Sequence, residues 1–386
     1  MPSSTSSSDH LHVPPRPVPA GPWGRTWIAT LVLLVVSLAG VEAFVRARGY
    51  RPSVKDNEWA WAWARMRASD GSPHTVALLG TSRIHLAFSQ DAFSAALPDW
   101  KAVQLAIDGT FPAGSLMDLA RDPEFRGIAI VDTLESGLSP DNWYRQDAYI
   151  AAYHRRWRAP GAMAERWLAT QVQARLAVLS DTGLHTFARG FAAPPYVTTF
   201  ADRTQFADYG LTDVDQRRRQ QLERLGTVVP PTEHDAEVWL ADALRLEPYI
   251  ADLQARGGTV VYLRMPTCDE RWTIDQQREP RALFWNRLAA VTRAVAIHFA
   301  DYPSLRDFAC PDTSHIASKD APRFTRALIE ILVDRGVIPR AALAGERASP
   351  ADHASRREGD RQLGEIAGSD GGGAAAGADR VPGARR

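Results

Sequence analysis

The chain has 386 residues, with 45 Lys+Arg against 45 Asp+Glu, so its formal net charge is zero. With 45% hydrophobic and 23% charged residues it has the composition of a globular protein, which excludes wholesale disorder. A neutral chain lacks the bulk attraction to nucleic acid of a basic one, and its two cysteines are too few for a disulfide scaffold or a four-cysteine zinc site.

Both ends of the chain predict flexible tails. Residues 1–25 are rich in Ser and Pro, and residues 345–386 are rich in Ala, Gly, Ser, Asp and Arg. Neither stretch has enough large apolar side chains to offset the entropy lost on ordering. We therefore expect the folded part of the chain to lie between them.

A continuous apolar run covers residues 27–45 and is about as long as a helix that crosses a bilayer. We predict a transmembrane anchor over residues 26–47, followed by an α/β domain over residues 48–340. A cleaved signal peptide is the main alternative, because small residues flank Glu42 near the end of the run. A buried helix of a soluble protein is the third.

The charges that flank the predicted anchor do not settle on which side of the membrane the body lies. More basic residues follow the run than precede it, which favours a cytoplasmic body by the positive-inside rule. They are Arg46, Arg48, Arg51 and Lys55. The two cysteines favour the opposite orientation, because disulfides persist in oxidising compartments.

Five short apolar segments separated by helical patterns predict an α/β fold with a five-stranded parallel sheet covered on both faces. The segments are Thr75–Gly80, Ala102–Ile107, Gly127–Asp132, Thr259–Arg264 and Ala294–Phe299. The helices between them are expected near Ser89–Leu97, Pro112–Asp122, Asp235–Ala255 and Pro280–Arg293.

A tryptophan-rich segment precedes the first predicted strand. Trp59, Trp61 and Trp63 alternate as in a strand, although the Ala/Arg-rich segment around them favours a helix, and we interpret them as packing or interfacial residues.

Residues 141–232 break the alternation of strands and helices. We interpret them as a mostly helical insertion that covers the strand ends.

Reactive side chains of a parallel sheet gather at the carboxyl ends of its strands. Ser82 follows the first predicted strand, Gly109 follows the second, and Asp312 and His315 follow the fifth. An Asp three residues before a His can bond its Nδ1–H, which leaves Nε2 free to act as a base for a serine hydroxyl. His85 and His298 are single histidines without partners at metal-ligand spacing and are interpreted as structural.

Ser82, Asp312 and His315, in that chain order and with the last two on one turn, resemble the SGNH/GDSL hydrolase superfamily over residues 74–335, the insertion excepted. The resemblance implies a flavodoxin-like three-layer α/β/α fold. It also implies Ser82 as nucleophile, His315 as base, Asp312 as its partner, and the amides of Ser82 and Gly109 as oxyanion donors. No cofactor or metal ion is implied.

Within that superfamily, the anchored body with a Gly-x-Ser-Arg turn looks most like exported proteins of polysaccharide O-acetylation, such as alginate acetyltransferase accessory proteins. The resemblance implies a serine esterase or O-acyltransferase on an acylated, and most simply acetylated, glycan of the cell envelope. The protein would then be a single-pass protein of a bacterial inner membrane with a periplasmic body. A multi-spanning acyltransferase is the expected partner.

The sequence departs from the family pattern at two places. Thr81 precedes the serine where the family usually has Asp, and Asp132 ends the third strand where an Asn donor is expected, the nearest asparagine being Asn142. Arg83 and Arg264 are candidates to supply the missing charge, to bind a sugar acid of the substrate, or simply to pair with a carboxylate. A catalytically inactive module that binds a polysaccharide or an acyltransferase is therefore the alternative function.

Cys268 and Cys310 follow neighbouring predicted strands. Strand ends that lie side by side can bring two sulfurs within bonding distance, so a disulfide beside the site is one expectation. Two independent free thiols are the other.

Overall fold

The computed structural model describes residues 21–155, 159–180 and 193–344. Residues 1–20 of the first predicted tail and all of the second, 345–386, lie outside these ranges.

The strands in the described residues are β1 (Thr75–Leu79), β2 (Lys101–Gln104), β3 (Ile128–Asp132), β4 (Val197–Thr199), β5 (Gln205–Ala207), β6 (Thr259–Arg264) and β7 (Val295–His298). The α-helices are α1 (Trp23–Ala47), α2 (Glu58–Ala68), α3 (Ser82–Ala87), α4 (Gln90–Ala96), α5 (Ala113–Arg121), α6 (Asp147–Arg155), α7 (Pro160–Gln173), α8 (Val214–Glu223), α9 (Glu233–Ala243), α10 (Glu247–Ala255), α11 (Asp269–Arg278), α12 (Trp285–Val291), α13 (Pro303–Arg306) and α14 (Ala321–Asp334).

Five of these strands form one parallel sheet in the order β2-β1-β3-β6-β7. This confirms the predicted α/β class and the five-stranded parallel sheet. Val76 in β1 lies opposite Ala102 on one side and Ile128 on the other. Because all five strands run in one direction, their carboxyl ends share one edge of the sheet.

Apolar side chains cover both faces of the sheet. Along β1, Ala77 and Leu79 belong to a buried cluster that includes side chains of α5 and α10, whereas Val76 and Leu78 belong to a cluster with α4 and α14. A strand buried on both faces needs a continuous apolar run rather than an alternating one. That is the pattern from which β1 was predicted.

Helix α2 resolves the ambiguous tryptophan segment. Asn57 caps its first turn by accepting hydrogen bonds from the amides of Trp59 and Ala60. Trp61 is fully buried and its indole N–H donates to the carbonyl of Leu105 at 3.0 Å. Helix capping and packing therefore outweigh the alternating spacing.

The insertion contains more than the predicted helices. Helices α6, α7 and α8 lie in it, but β4 and β5 form an antiparallel hairpin that the sequence analysis did not anticipate. Each of these strands has only three residues. Polar, short strands of this kind carry little periodicity, so the pattern around them was dominated by the helices.

Helix α1 is, among the residues that the structure describes, the one helix long and apolar enough to cross a membrane. Its end is docked onto the folded body through Glu42, which is 9% exposed. The Glu42 carboxylate accepts hydrogen bonds from the amides of Ala177 at 2.8 Å and Val178 at 2.9 Å, and it pairs with Arg46 at 2.5 Å. Cleavage beside Ala43 would remove this carboxylate from the body.

Replacing Glu42 with Ala is expected to loosen the junction between α1 and the body. Two buried amides would lose their acceptor, at a cost of about 1–3 kcal/mol of local stability. Hydrogen exchange at Ala177 and Val178, measured by mass spectrometry on the full chain, should accelerate about 5- to 150-fold. Glu223→Ala, at the exposed end of α8, is the matched control, and equal exchange in both variants would contradict the docking role.

Candidate active site at the carboxyl edge of the sheet

Ser82 is the first residue of α3 and directly follows the turn after β1. The Thr81 hydroxyl caps this helix by accepting a hydrogen bond from the Arg83 amide at 3.2 Å. Asp132, at the end of β3, reinforces the turn because its Oδ2 accepts from the Thr81 amide at 3.3 Å, the Thr81 hydroxyl at 3.1 Å and the Ile84 amide at 3.3 Å. The turn that carries Ser82 is thus fastened to the neighbouring strand.

Gly80 allows this close approach. A Cβ atom at position 80 would lie 2.7 Å from Asp132 Cβ and 2.8 Å from Ile84 Cγ2, which is closer than carbon atoms pack. Glycine is required here by the contact between the turn and β3, a requirement that cannot be recognised from the turn sequence alone.

The structure brings Ser82, His315 and Asp312 into one hydrogen-bonded chain. Ser82 Oγ lies 2.7 Å from His315 Nε2, and His315 Nδ1 lies 2.8 Å from Asp312 Oδ2. A carboxylate can only accept, so Nδ1 carries the proton and Nε2 is left to accept from the serine hydroxyl. Ser82 is half-buried, whereas the His315 and Asp312 side chains are buried.

Asp312 is held in its ionised form. Burial acts to raise its pKa, but the hydrogen bond and charge of His315, together with bonds from the amides of His315 and Ser314, outweigh burial and bring the pKa to about 2. Those two amides donate to Asp312 Oδ1 at 2.9 and 3.1 Å. The carboxylate is therefore charged at any pH at which His315 can work as a base.

Tyr209, which the sequence analysis did not select, joins this hydrogen-bonded chain. Its hydroxyl donates to Asp312 Oδ2 at 3.0 Å from a short 3-10 helix, Tyr209–Leu211, that follows the hairpin. Burial and the charge of Asp312 raise the pKa of Tyr209, so the phenol stays protonated and remains a donor. A separation of 103 residues along the chain hides the contact from any local pattern.

Gly109 occupies the turn after β2 in a left-handed conformation, with φ of +70°, and no atom lies within 4 Å of where a Cβ would stand. Within the described ranges, the backbone amides of Gly109 and Ser82 have no hydrogen-bond acceptor. Unpaired amides at this edge are suited to receive an oxyanion.

The expected third donor, an asparagine, is not supplied by Asn142. Its side-chain amide donates to the Ser136 carbonyl at 2.8 Å, and its oxygen accepts from Arg145 Nε at 2.7 Å. Asp132 occupies the end of β3, where burial raises its pKa despite the nearby Arg83 charge. Its side chain accepts hydrogen bonds from the Ser82 turn and holds that turn against β3.

Arg264 does not fit the expected substrate contact. It is 1% exposed, and its guanidinium pairs with Glu135 at 3.3 Å and with Asp275 at 2.9 Å. The two carboxylates neutralise the positive charge that was expected to face a ligand. Arg264, at the end of β6, is therefore part of a buried ion-pair network that includes Asp275 of α11.

Arg83 differs from Arg264 in that its Nε is buried without a hydrogen-bond partner in the described part of the chain. The side chain is 7% exposed and lies one residue beyond Ser82. Burial, together with the charge of Arg271, lowers its pKa to about 10, so it remains a cation at neutral pH. It stays the better candidate of the two for contact with substrate.

The two histidines interpreted as structural differ in their surroundings. His298 packs between Trp272, Trp285 and Phe299, and burial together with the charge of Arg264 lowers its pKa to about 2. It is a neutral core residue. His85 has polar surroundings instead, since its Nδ1 lies 2.9 Å from Asp108 Oδ1.

A disulfide joins Cys268 and Cys310. Cys268 also donates its amide to the carbonyl of Thr313 at 2.9 Å, so the loop that carries Asp312 and His315 is tied to the segment after β6. Of the two expectations for the cysteines, the structure contains the bridge.

Comparison of the chain with protein-family models, with curated proteins and with solved structures finds no match.

Replacing Tyr209 with Phe is expected to slow any reaction that uses His315 as a base. The substitution keeps the ring but removes a hydrogen bond to a charged group, which is worth about 1.5–3 kcal/mol. A loss of about 10- to 100-fold in the rate at which a fluorophosphonate labels Ser82 is the expected result, and the melting temperature should fall by a few degrees because the same bond stabilises the fold. A rate equal to that of the wild type would show that Tyr209 does not orient Asp312.

Removing the disulfide should destabilise the fold. A bridge between positions 42 residues apart stabilises by about 3–4 kcal/mol through loop closure in the unfolded chain. The double variant Cys268→Ser, Cys310→Ser should therefore melt at a lower temperature than the oxidised wild type. Thiol titration of the unreduced wild type should find no reactive thiol, and two titratable thiols would contradict the bridge.

Proposed function

We propose that the protein is a membrane-anchored serine esterase or O-acyltransferase of the SGNH type, acting on an acylated, most simply acetylated, glycan of the cell envelope. The observation that carries the proposal is the chain of contacts from Ser82 Oγ through His315 to Asp312, at 2.7 and 2.8 Å. It stands at the carboxyl edge of a parallel sheet, which is where such folds place their reactive groups.

In the first half of the reaction, His315 Nε2 takes the proton of Ser82 as the serine oxygen attacks the ester carbonyl. Asp312 accepts the Nδ1–H bond and stabilises the imidazolium that forms. His315 then returns the proton to the leaving alcohol oxygen, the ester C–O bond breaks, and the acyl group remains on Ser82.

The tetrahedral intermediate carries its negative charge on the former carbonyl oxygen. The unpaired amides of Ser82 and Gly109 are the donors that would stabilise it. Each such donor typically contributes about 100- to 1,000-fold in rate. The positive charge of Arg83 beside Ser82 supports the same role or the binding of an anionic group on the substrate.

In the second half, a hydroxyl attacks the acyl-enzyme and gives its proton to His315 Nε2. The bond between the acyl carbon and Ser82 Oγ then breaks, and His315 returns the proton to Ser82 Oγ. Water as the nucleophile gives hydrolysis, and a sugar hydroxyl gives transfer. The two outcomes use the same residues, so they are decided by which hydroxyl reaches the acyl group first.

Three observations support the wider setting of the proposal. The strand order β2-β1-β3-β6-β7 corresponds to the flavodoxin-like order when the hairpin is left out, which supports the three-layer fold implied by the resemblance. The docking of α1 through Glu42 supports a retained anchor. The disulfide supports a body in an oxidising compartment, such as a bacterial periplasm, where a multi-spanning acyltransferase would be the partner.

The second candidate function is an inactive module that binds a glycan or an acyltransferase. The observation in its favour is Asp132 at the end of β3, where the family has an asparagine donor. A buried carboxyl there braces the Ser82 turn instead of facing an oxyanion.

A fluorophosphonate probe separates the two candidates. The full chain in detergent micelles should be labelled, Ser82→Ala should not be labelled, and His315→Gln should react about 1,000-fold more slowly or less, because the serine loses its base. Mass spectrometry of the labelled peptide identifies the modified residue. Ser94→Ala, an exposed serine on α4, is the matched control and should label as the wild type does.

Hydrolysis of p-nitrophenyl acetate measured on the same variants provides the second readout. Activity that survives in Ser82→Ala, or a wild type that neither labels nor turns over, would overturn the catalytic proposal and leave the binding module.

A further inference from the structure

His85 lies on α3 three residues after Ser82 and is fully buried. Both of its ring nitrogens face oxygen acceptors. Nδ1 lies 2.9 Å from Asp108 Oδ1, and Nε2 contacts the backbone carbonyl of Arg203. A neutral imidazole has a single N–H, so only the doubly protonated ring can donate to both oxygens.

The surrounding charges fit an imidazolium. The Asp108 carboxylate lies 2.9 Å from His85, and the Asp56 carboxylate lies 4.0 Å from it and pairs with the Arg203 guanidinium at 2.6 Å. With a charged His85 this cluster has two positive and two negative groups.

The same contacts connect the turn after β2 with the β4–β5 hairpin. Gln205 in β5 donates to the second oxygen of Asp108 at 3.1 Å. From the hairpin loop, the Arg203 side chain donates to the carbonyls of Gln104 at 2.6 Å and Ala106 at 2.9 Å. His85 lies between the two elements and bonds to both.

We propose that His85 in its imidazolium form is a positioning residue, which holds the Asp108–Gly109 turn against the hairpin and thereby sets the direction of the Gly109 amide. The inference rests on the proposed function, in which that amide is an oxyanion donor. It adds a second histidine to the site, with a role that does not involve proton transfer to substrate.

The pKa of Asp108 agrees with this arrangement. Partial burial acts to raise it, but the hydrogen bond and charge of His85 outweigh burial and keep the pKa below its usual value. Asp108 thus stays an acceptor for both His85 and Gln205.

The first test is the hydrolysis of p-nitrophenyl acetate, measured as kcat and KM on the full chain in detergent micelles. Asp108→Asn should lower kcat about 10-fold with KM unchanged, because an oxyanion donor acts in the transition state rather than on the bound ester. A kcat equal to that of the wild type in Asp108→Asn overturns the proposal.

His85→Gln should lower kcat about 10- to 100-fold, again with KM unchanged, because a single amide group replaces the two N–H donors of the ring. His74→Gln is the matched control, since His74 is exposed and stacks on Trp100 away from the site. It should leave kcat and KM unchanged. A purely structural role for His85 would instead lower the fraction of active protein, which titration of the active sites with the fluorophosphonate measures.

The second test does not depend on catalysis. Hydrogen exchange of the full chain should accelerate in residues 105–112 and 197–207 in both His85→Gln and Asp108→Asn, and should be unchanged in His74→Gln. If no variant labels but exchange follows this pattern, the proposed function fails and the tether stands. If exchange in both segments equals that of the wild type, the tether itself is refuted.

Discussion

The carboxylate of Asp132 is the contact on which the geometry of the site depends. Three donors from the Ser82 turn converge on one of its oxygens, and they cross from β1 to β3 at the carboxyl edge of the sheet. A turn between a strand and a short helix has few contacts of its own, so this buried acceptor decides where α3 begins. Gly80 allows the approach, because any side chain there would overlap the aspartate.

The insertion completes the site from the other side. Its hairpin contacts the turn after β2 through Gln205 and Asp108, and the amide of Ala207 donates to Ser318 Oγ at 2.8 Å, close to the His315 loop. Tyr209, just beyond the hairpin, bonds Asp312. An element outside the parallel sheet thus connects the strand-end segments that carry the candidate catalytic groups.

A disulfide and a buried carboxylate tie two further segments to the body. The disulfide holds the loop of Asp312 and His315 near the end of β6. Toward the other end of the chain, Glu42 binds two backbone amides of the insertion at the end of the apolar helix. The apolar helix α1 is consequently joined to the body by a buried, hydrogen-bonded contact.

The amino-acid sequence by itself determined the sheet and the apolar helix. A strand buried on both faces is a continuous apolar run, as at Val76 to Leu79. A helix able to span a bilayer is a longer apolar run, as at residues 27–45. Both kinds of run can be recognised locally in the sequence. Ser82, Gly109, Asp312 and His315 could be selected because strand ends are predictable once the strands are. Only the tertiary structure decided that Asp132 holds the Ser82 turn, that Arg264 pairs with Glu135 and Asp275, that Tyr209 bonds Asp312, and that His85 contacts Asp108. Those contacts join residues far apart in the chain, and a hydrogen bond between two distant side chains leaves no periodicity along the sequence from which it could be predicted.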